Sequence, residues 1–456
     1  MRRRPVTRKG PLPGLLLSLV MVACSVPEPP VPRNLLLITL DTLRADHLGL
    51  YGYERSTSPE LDAFAASATV FEDATCSMPT TLPSHASIFT GLRPTQHGLR
   101  RNGQVPSGDL VTLFDLLGEG GAATAAIIAS RVLDEQYLAG MGFDEVIFPG
   151  SERQYQTRAQ HVTDHAADWL ERRVEEPGKS FALWLHYYDT HEPYEPPAAL
   201  AKAFDRGYDG PLPDALDTPT LVAFNDPGTV LSTADLEHIE DLYDAEIAQL
   251  DLQLGRLFEH LDRLDVLDDT VVVLVGDHGQ ALGENAFFGH GLRLLEPVIK
   301  VPLIVRLPGQ SEAIRHLGPV ETIDLVPTLL ELFGLETPSG LPGVSLVQAL
   351  AGHEIEAPPF RFIERRAYPD QPDVVAVALH GGSWKAVYYR DEDGSETRHL
   401  GRRQGGLDGE NLYRPDSTEA RWLEDAWKGV AAAGTPAAAE LDDPTQRMLR
   451  ALGYID

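Results

Sequence analysis

The sequence predicts an α/β fold in which a large, mostly parallel sheet is sandwiched by helices, with a smaller C-terminal α+β subdomain after it. Short continuous apolar runs recur along the chain, as strands buried on both faces require. Amphipathic helical stretches alternate with them, which parallel strands need as crossovers. Several runs end directly in Asp or His, and open α/β sheets bind their ligands beyond the carboxyl ends of the strands.

Asn34–Leu40 (Asn-Leu-Leu-Leu-Ile-Thr-Leu) is the first strand and ends at Asp41. Thr81–Gly91 reads as a short helix: Pro83 fits the first turn, where a missing N–H costs nothing, and Gly91 stops it. The Thr81 hydroxyl then stands at a helix N-terminus, where free N–H groups and the dipole favour an anion. An ordinary helix cap is the alternative reading. Ala122–Ala129 is a second strand, Gln156–Val174 a helix and Phe181–Tyr187 a third strand. Beyond it, Tyr-Tyr-Asp-Thr-His-Glu-Pro-Tyr delivers Asp189 and His191. Gly207–Asn225, rich in Pro, Asp and Gly, reads as a surface insertion that could overhang the site.

Thr233–Leu264 carries the best helical stripe: Leu236, Ile239, Tyr243, Ile247, Leu250, Leu254, Leu257 and Leu261. Ser232 or Thr233 can cap it, and its exposed face is expected to carry much of the acidic excess. Thr270–Val275 is the clearest strand and ends in Gly276-Asp277-His278, with His290 following in Phe-Gly-His-Gly. Pro302–Leu307 is another strand and Leu325–Phe333 a short helix. Past Gly343 the pattern changes. Val374–Leu379 and Trp384–Arg390, joined by His-Gly-Gly-Ser, read as a hairpin-like pair. Residues 34–344 are thus expected to form the catalytic domain and 345–456 the subdomain, with a weakly structured Ala-rich tail at Gly429–Glu440.

The chain holds 38 Lys and Arg against 68 Asp and Glu, a formal charge of −30. Five positive charges (Arg2, Arg3, Arg4, Arg8, Lys9) precede the apolar run Leu15–Ala23, which is too short to span a membrane and meets Cys24 at once. Residues 1–23 resemble a bacterial lipoprotein signal, a plain secretory signal being the alternative. Cleavage would leave Cys24 to carry lipid, followed by a Pro-rich tether to Arg33. The expected address is the bacterial cell envelope, periplasm or outer membrane. Losing those five charges takes the protein from −30 to −35. Such a surface repels nucleic acid and anionic membrane, so membrane contact is expected only through the anchor. Cys76 is left unpaired, and no disulfide within the chain is expected. An anionic substrate must meet local positive potential, from a metal or a histidine cluster.

Asn34–Asp46, Thr81–Gly98, Asp189-Thr190-His191, Gly276–Gly283 with His290, and Val301–Pro308 occur in this order, and together they resemble the sulfatases. Thr322–Gly334, Asn411-Leu412-Tyr413 and Asp416 resemble later landmarks of that family, so the likeness runs over roughly 34–420. It implies the alkaline-phosphatase-like fold and a metal-dependent hydrolase of sulfate or phosphate esters. By the same likeness Asp41, Asp277, His278 and Thr81 match metal ligands and Thr81 matches the nucleophile. His191 and His290 match positions that contact the anion or its leaving group. Asp189 and His191 are spaced Asp-x-His, rather than the wider Asp-x-x-x-His of two-zinc relatives. One divalent cation is therefore expected: calcium, manganese or zinc.

The departures are specific. Sulfatases carry a Cys or Ser, converted to formylglycine, within Cys-x-Pro-Ser-Arg; here Thr81 holds the Cys place and His85 the Arg place. Thr cannot become that aldehyde. The common Asp-Asp pair is Asp41-Thr42, and the Lys-Trp-His element reads Ser130-Arg131-Val132. Thr81 attack would leave a covalent ester that water must cleave, which suits phosphorus better than sulfur. Phosphate mono- or diesters are thus favoured, with His191 or His290 as acid–base partner. His85 either serves the anion or packs. The rival readings are a phosphotransferase acting on a glycan or lipid, and a catalytically silent metal-binding protein.

Overall fold

The computed structural model describes residues 32–106, 110–151, 154–176, 178–356, 360–365, 373–379, 384–390, 396–402, 413–418, 420–421 and 439–440. Cys24 and the expected signal lie outside the described residues, as does most of the tail.

One sheet holds nine strands: β1 (Asn34–Leu40), β2 (Thr69–Thr75), β3 (Ala123–Ile128), β4 (Glu145–Ile147), β5 (Phe181–Tyr187), β6 (Thr270–Gly276), β7 (Lys300–Val301), β8 (Leu303–Arg306) and β9 (Ile314–Glu321). Their order is β7-β2-β8-β6-β1-β5-β3-β4, with β9 beside β2. β1 runs parallel to β5 and β6, β3 to β4 and β5, and β9 to β2. β8 is antiparallel to both of its neighbours. The apolar runs at β1, β3, β5, β6 and β8 announced themselves; β2, broken by Glu72 and Asp73, and β9, broken by Gly318 and Pro319, did not.

Alternate residues of each strand feed opposite cores. Leu35 and Leu37 join Trp184, Val271 and Val273 on the face covered by the helices Thr81–Thr90 and Leu325–Leu332. Leu36 and Ile38 join Leu183, Leu185, Val272 and Leu274 on the face covered by Ala159–Val174 and Thr233–Arg263. Two helical layers on a doubly buried sheet are what unbroken apolar strands demand.

Ser232 caps the long helix, accepting from Asp235 N–H at 3.1 Å while Asp235 accepts from Ser232 N–H at 2.8 Å. The acidic face differs from expectation. Asp241, Asp244, Glu246 and Asp251 on this helix are buried. They are held by Arg55, His47, Arg158 and the N–H groups of Glu60 and Leu61. The 207–225 insertion is also more structured than its composition suggested. It contains the helix Thr218–Ala223, and its last residue, Asn225, brackets Phe288 by accepting from its N–H at 2.8 Å and donating to its carbonyl at 3.0 Å. This ties the insertion to the loop that carries His290.

A second sheet, of strands β10 (Phe360–Arg365), β11 (Asp373–Leu379), β12 (Trp384–Arg390) and β13 (Glu396–Arg402), is antiparallel in that order. The expected hairpin is β11–β12; its connecting residues lie outside the described residues. Ala439–Glu440 pairs with Gln104–Val105. Arg93 pins this sheet to the main one: its guanidinium donates twice to Glu321 at 2.9 Å and once to the Phe362 carbonyl, while Glu321 accepts from Phe362 N–H.

Arg93→Met should leave the buried Glu321 carboxylate unpaired and lower unfolding stability by about 3–5 kcal/mol, read from urea denaturation. Asp251 offers a pH test. Burial pushes its carboxyl from an ordinary value near 3.8 up to about 7, and Glu246 and Asp324 are lifted to about 7 in the same way. The fold therefore favours protonated Asp251. That contribution is intact below the unfolded value, near 3.8, and is lost as pH rises through about 7. Unfolding stability should fall over this window, and Asp251→Asn should flatten the slope by up to about 1.4 kcal/mol per pH unit.

Candidate active site

Strand register builds the site. Leu40 pairs with Tyr187 on one side and with Gly276 on the other, so β5, β1 and β6 release the chain at one level. Asp41 and Asp277 follow side by side, both fully buried. Asp41 Oδ2 accepts from His186 Nε2 at 3.2 Å, and its other oxygen has no protein partner. Asp277 Oδ1 accepts from the N–H groups of His278, at 2.7 Å, and Thr42, at 3.3 Å; its Oδ2 makes no hydrogen bond, with His278 Nε2 3.5 Å and His85 Nδ1 3.6 Å away. His278 Nδ1 lies 3.1 Å from the Gly279 carbonyl, which can only accept, so the ring proton sits there and Nε2 presents a lone pair. Ligand atoms of Asp41, Asp277 and His278 all lie within 4.8 Å of one another.

The electrostatics point the same way. Burial and the charge of Asp41 push Asp277 well above the usual carboxylate range. Burial opposes ionisation of Asp41 too, but the His186 hydrogen bond and nearby imidazoles outweigh it and hold Asp41 below that range. Burial also depresses His278, keeping it a neutral ligand. Two orphaned carboxylate oxygens and an imidazole lone pair, sealed from water, make a site that a divalent cation fits.

Thr81 is the first residue of the Thr81–Thr90 helix, and Gly91 ends that helix at φ 68°. Thr81 Oγ lies 3.5 Å from His278 Nε2. Ser84, one turn on, donates to the Asp277 carbonyl at 2.6 Å and locks the helix to the β6 exit. The first-turn donors are less available than a bare helix start suggests: Leu82 N–H donates to Asn102 Oδ1 at 2.9 Å and Ser84 N–H to the Thr80 carbonyl at 3.0 Å. Cys76 lies buried five residues earlier, its thiol pushed up by burial.

His85 is enclosed by protein groups, its Nδ1 3.6 Å from Asp277 Oδ2. Its Nδ1 lies 2.7 Å from the Thr81 carbonyl and its Nε2 accepts from Thr39 Oγ at 2.9 Å, with Trp184 Nε1 donating to the same Thr39 oxygen at 2.8 Å. Burial and the neighbouring His186 lower it to about 3. Of its two readings, this geometry favours packing, with His85 a neutral strut under Thr81. Asp189 also turns away: it accepts from Ala159 N–H at 2.8 Å, at the start of the Ala159–Val174 helix.

His191 and His290 do converge. Their Nε2 atoms are 3.1 Å apart, and the His290 ring stacks on His278 with centroids 4.4 Å apart. His186 was missed by the sequence reading. Its signal was a lone imidazole inside an otherwise apolar strand, two residues after Trp184.

A doubly covered sheet with acids, imidazoles and a helix-start hydroxyl along one carboxyl edge is the alkaline-phosphatase-like class of ester hydrolase. Residues 33–335 match the family model described as Sulfatase, and the chain belongs to the sulfatase family, whose members generally use a divalent metal. It is 30% identical over 215 residues to the multifunctional alkaline phosphatase superfamily protein PehA of Trinickia caryophylli, spanning 41% of this chain and 40% of that protein. Against iduronate 2-sulfatase of Homo sapiens it is 24% identical over 490 residues, spanning 83% and 88%. The phosphonate monoester hydrolase of Silicibacter pomeroyi shares the fold with a TM-score of 0.67 at 21% identity, over 87% of this chain and 94% of that one.

Chelation should lower the thermal midpoint and divalent metal should restore it. Metal at a hundredfold excess over Kd should contribute about 2.7 kcal/mol. Asp277→Asn should remove the part of that response due to this site in differential scanning calorimetry.

Proposed function

We propose that the protein hydrolyses anionic esters, phosphate mono- or diesters in preference to sulfates, with Thr81 as nucleophile. The observation that carries the reading is the place of Thr81 Oγ, at a helix start, 3.5 Å from His278 Nε2 beside two unpartnered carboxylate oxygens. Asp41, Asp277 and His278 would hold a divalent cation (calcium, manganese or zinc), with Thr81 beside it; when bound it would lower the pKa of the Thr81 hydroxyl and polarise a substrate oxygen.

Thr81 Oγ, its proton lost to solvent, attacks phosphorus. The bond from phosphorus to the leaving oxygen breaks, and that oxygen departs with the electron pair. It is left beside His191 and His290, which face the site from the strand β5 exit and the 276–290 loop, and takes a proton from water there. Water then attacks phosphorus, the bond to Thr81 breaks and the hydroxyl regains a proton. His85 and Asn102 fix the backbone on either side of the nucleophile, through the Thr81 carbonyl and the Leu82 N–H. A formylglycine hydrate can release its ester by collapsing to the aldehyde; threonine has no such exit, so the adduct must itself be hydrolysable. Phosphothreonine meets that condition better than an alkyl sulfate. Names among the relatives fit either ester: one is a phosphonate monoester hydrolase, another an iduronate 2-sulfatase. We further infer a mature protein beginning at lipidated Cys24, held at the cell envelope, with residues 34–344 as its catalytic domain.

Thr81→Ala should cut turnover of an aryl phosphodiester by at least about a thousandfold while metal content stays unchanged. Acid-quenched wild-type enzyme should yield a phosphorylated peptide containing Thr81 by mass spectrometry. Faster turnover of aryl sulfate than of any phosphate ester would overturn the substrate preference.

A further inference from the structure

A second convergent ligand set lies beside the first. His191 Nε2 and His290 Nε2 are 3.1 Å apart, and with Glu192 they form a group whose ligand atoms all fall within 4.8 Å of one another. The opposite nitrogen of each ring faces a carbonyl: His191 Nδ1 is 2.7 Å from the Glu192 carbonyl and His290 Nδ1 is 3.3 Å from that of Pro79. Carbonyls only accept, so both protons sit on Nδ1. The two Nε2 atoms then point lone pairs into the same small space, an arrangement that repels unless positive charge lies between them.

Three features of the surroundings favour a metal ion over a shared proton. Nδ1–H bonds to backbone carbonyls are the outer-shell contacts that fix metal-ligating tautomers. The Glu192 carboxylate completes the set and is itself oriented, accepting from Gln280 Nε2 at 2.9 Å. Zinc–imidazole bonds of about 2.0–2.1 Å would place two such nitrogens a little over 3 Å apart at a near-tetrahedral angle, matching the 3.1 Å seen. The His290 ring stacks on His278, so the two ligand sets are immediate neighbours.

We propose that His191, His290 and Glu192 bind a second divalent cation, of the zinc type given two imidazoles and one carboxylate. Sequence spacing alone argued for one cation, because the Asp-x-x-x-His of two-zinc relatives places a carboxylate four residues before the histidine; here the carboxylate is the next residue. The place of this cation on the leaving-group side rests on the mechanism above, but its existence does not. There it would meet charge developing on the departing oxygen.

The test is metal stoichiometry of the full-length protein, stripped with chelator and titrated with Zn²⁺, followed by calorimetry and elemental analysis. Wild type should bind two equivalents. His191→Ala and His290→Asn should each bind one, and Asp277→Asn should lose the other. Glu192→Gln should weaken only the second equivalent, by roughly 10–100-fold, taking the loss of an outer-shell partner as a lower guide. Co²⁺ loaded into the second position should show tetrahedral absorption that His290→Asn removes, and near-UV circular dichroism should confirm that each variant is folded. One equivalent in wild type would overturn the proposal, as would a second equivalent that survives both histidine substitutions. Thr81→Ala should still bind two, so activity surviving that substitution would sink the nucleophile and leave the second cation standing.

Discussion

A one-residue slip in a parallel pair turns every side chain of the strand to the opposite face, so register is fixed wherever both faces are buried. β1 is completely buried and has a parallel partner on each side, which constrains it tightly. The alignment of Leu40 with Tyr187 and Gly276 follows from packing Leu35 through Ile38 into two cores. Yet that alignment decides where Asp41 and Asp277 meet. Two carboxylates so deeply buried are costly unless charge compensates them. The apolar sheet therefore holds an arrangement that the acids alone would not adopt. Local geometry shows the same strain. Thr42, a β-branched residue, sits at φ 56°, a region it avoids, fastened by its N–H to Asp277 and by its carbonyl to the Tyr243 hydroxyl.

The parts of this architecture legible in the sequence are those set by pattern. Unbroken apolar runs marked β1, β5 and β6 because nothing in them competes with burial, and the Asp and His that end them were conspicuous for the same reason. Thr81–Gly91 was legible through Pro83 and Gly91, whose backbone constraints act locally. What stayed hidden depends on which distant groups meet. The acids at 241, 244, 246 and 251 read as a solvated face, because nothing local reveals that Arg55, Arg158 and His47 will come to them. Glu192 carried no reading of its own within the Asp189–Tyr194 segment. His186 was camouflaged by the strand that carries it.

His85 shows how a motif position can keep its place and change its task. In the sulfatase pattern that position is an arginine, a permanent cation. Here it is an imidazole that burial holds neutral, hydrogen-bonded through Thr39 to Trp184. The position still braces the backbone of Thr81, but it no longer brings charge. The element that elsewhere reads Lys-Trp-His is Ser130-Arg131-Val132, and the Ser130 side chain is spent accepting from the Val132 N–H.

Charge balance then limits what the site can do. In the proposed site Asp41 and Asp277, both ionised, would offset one divalent cation, so a single ion would leave no surplus for an arriving anion. The helix start contributes its dipole, but its Leu82 and Ser84 N–H groups are already bonded within the protein. None of the described side chains that build the metal cluster or the His191–His290 pair is a lysine or arginine, and the protein as a whole is strongly acidic. Under the proposed function, attraction of an anionic ester would therefore fall to the imidazole pair and whatever positive charge it holds. A second cation there, offset only by Glu192, would leave the net positive charge that the lost arginine and lysine no longer provide.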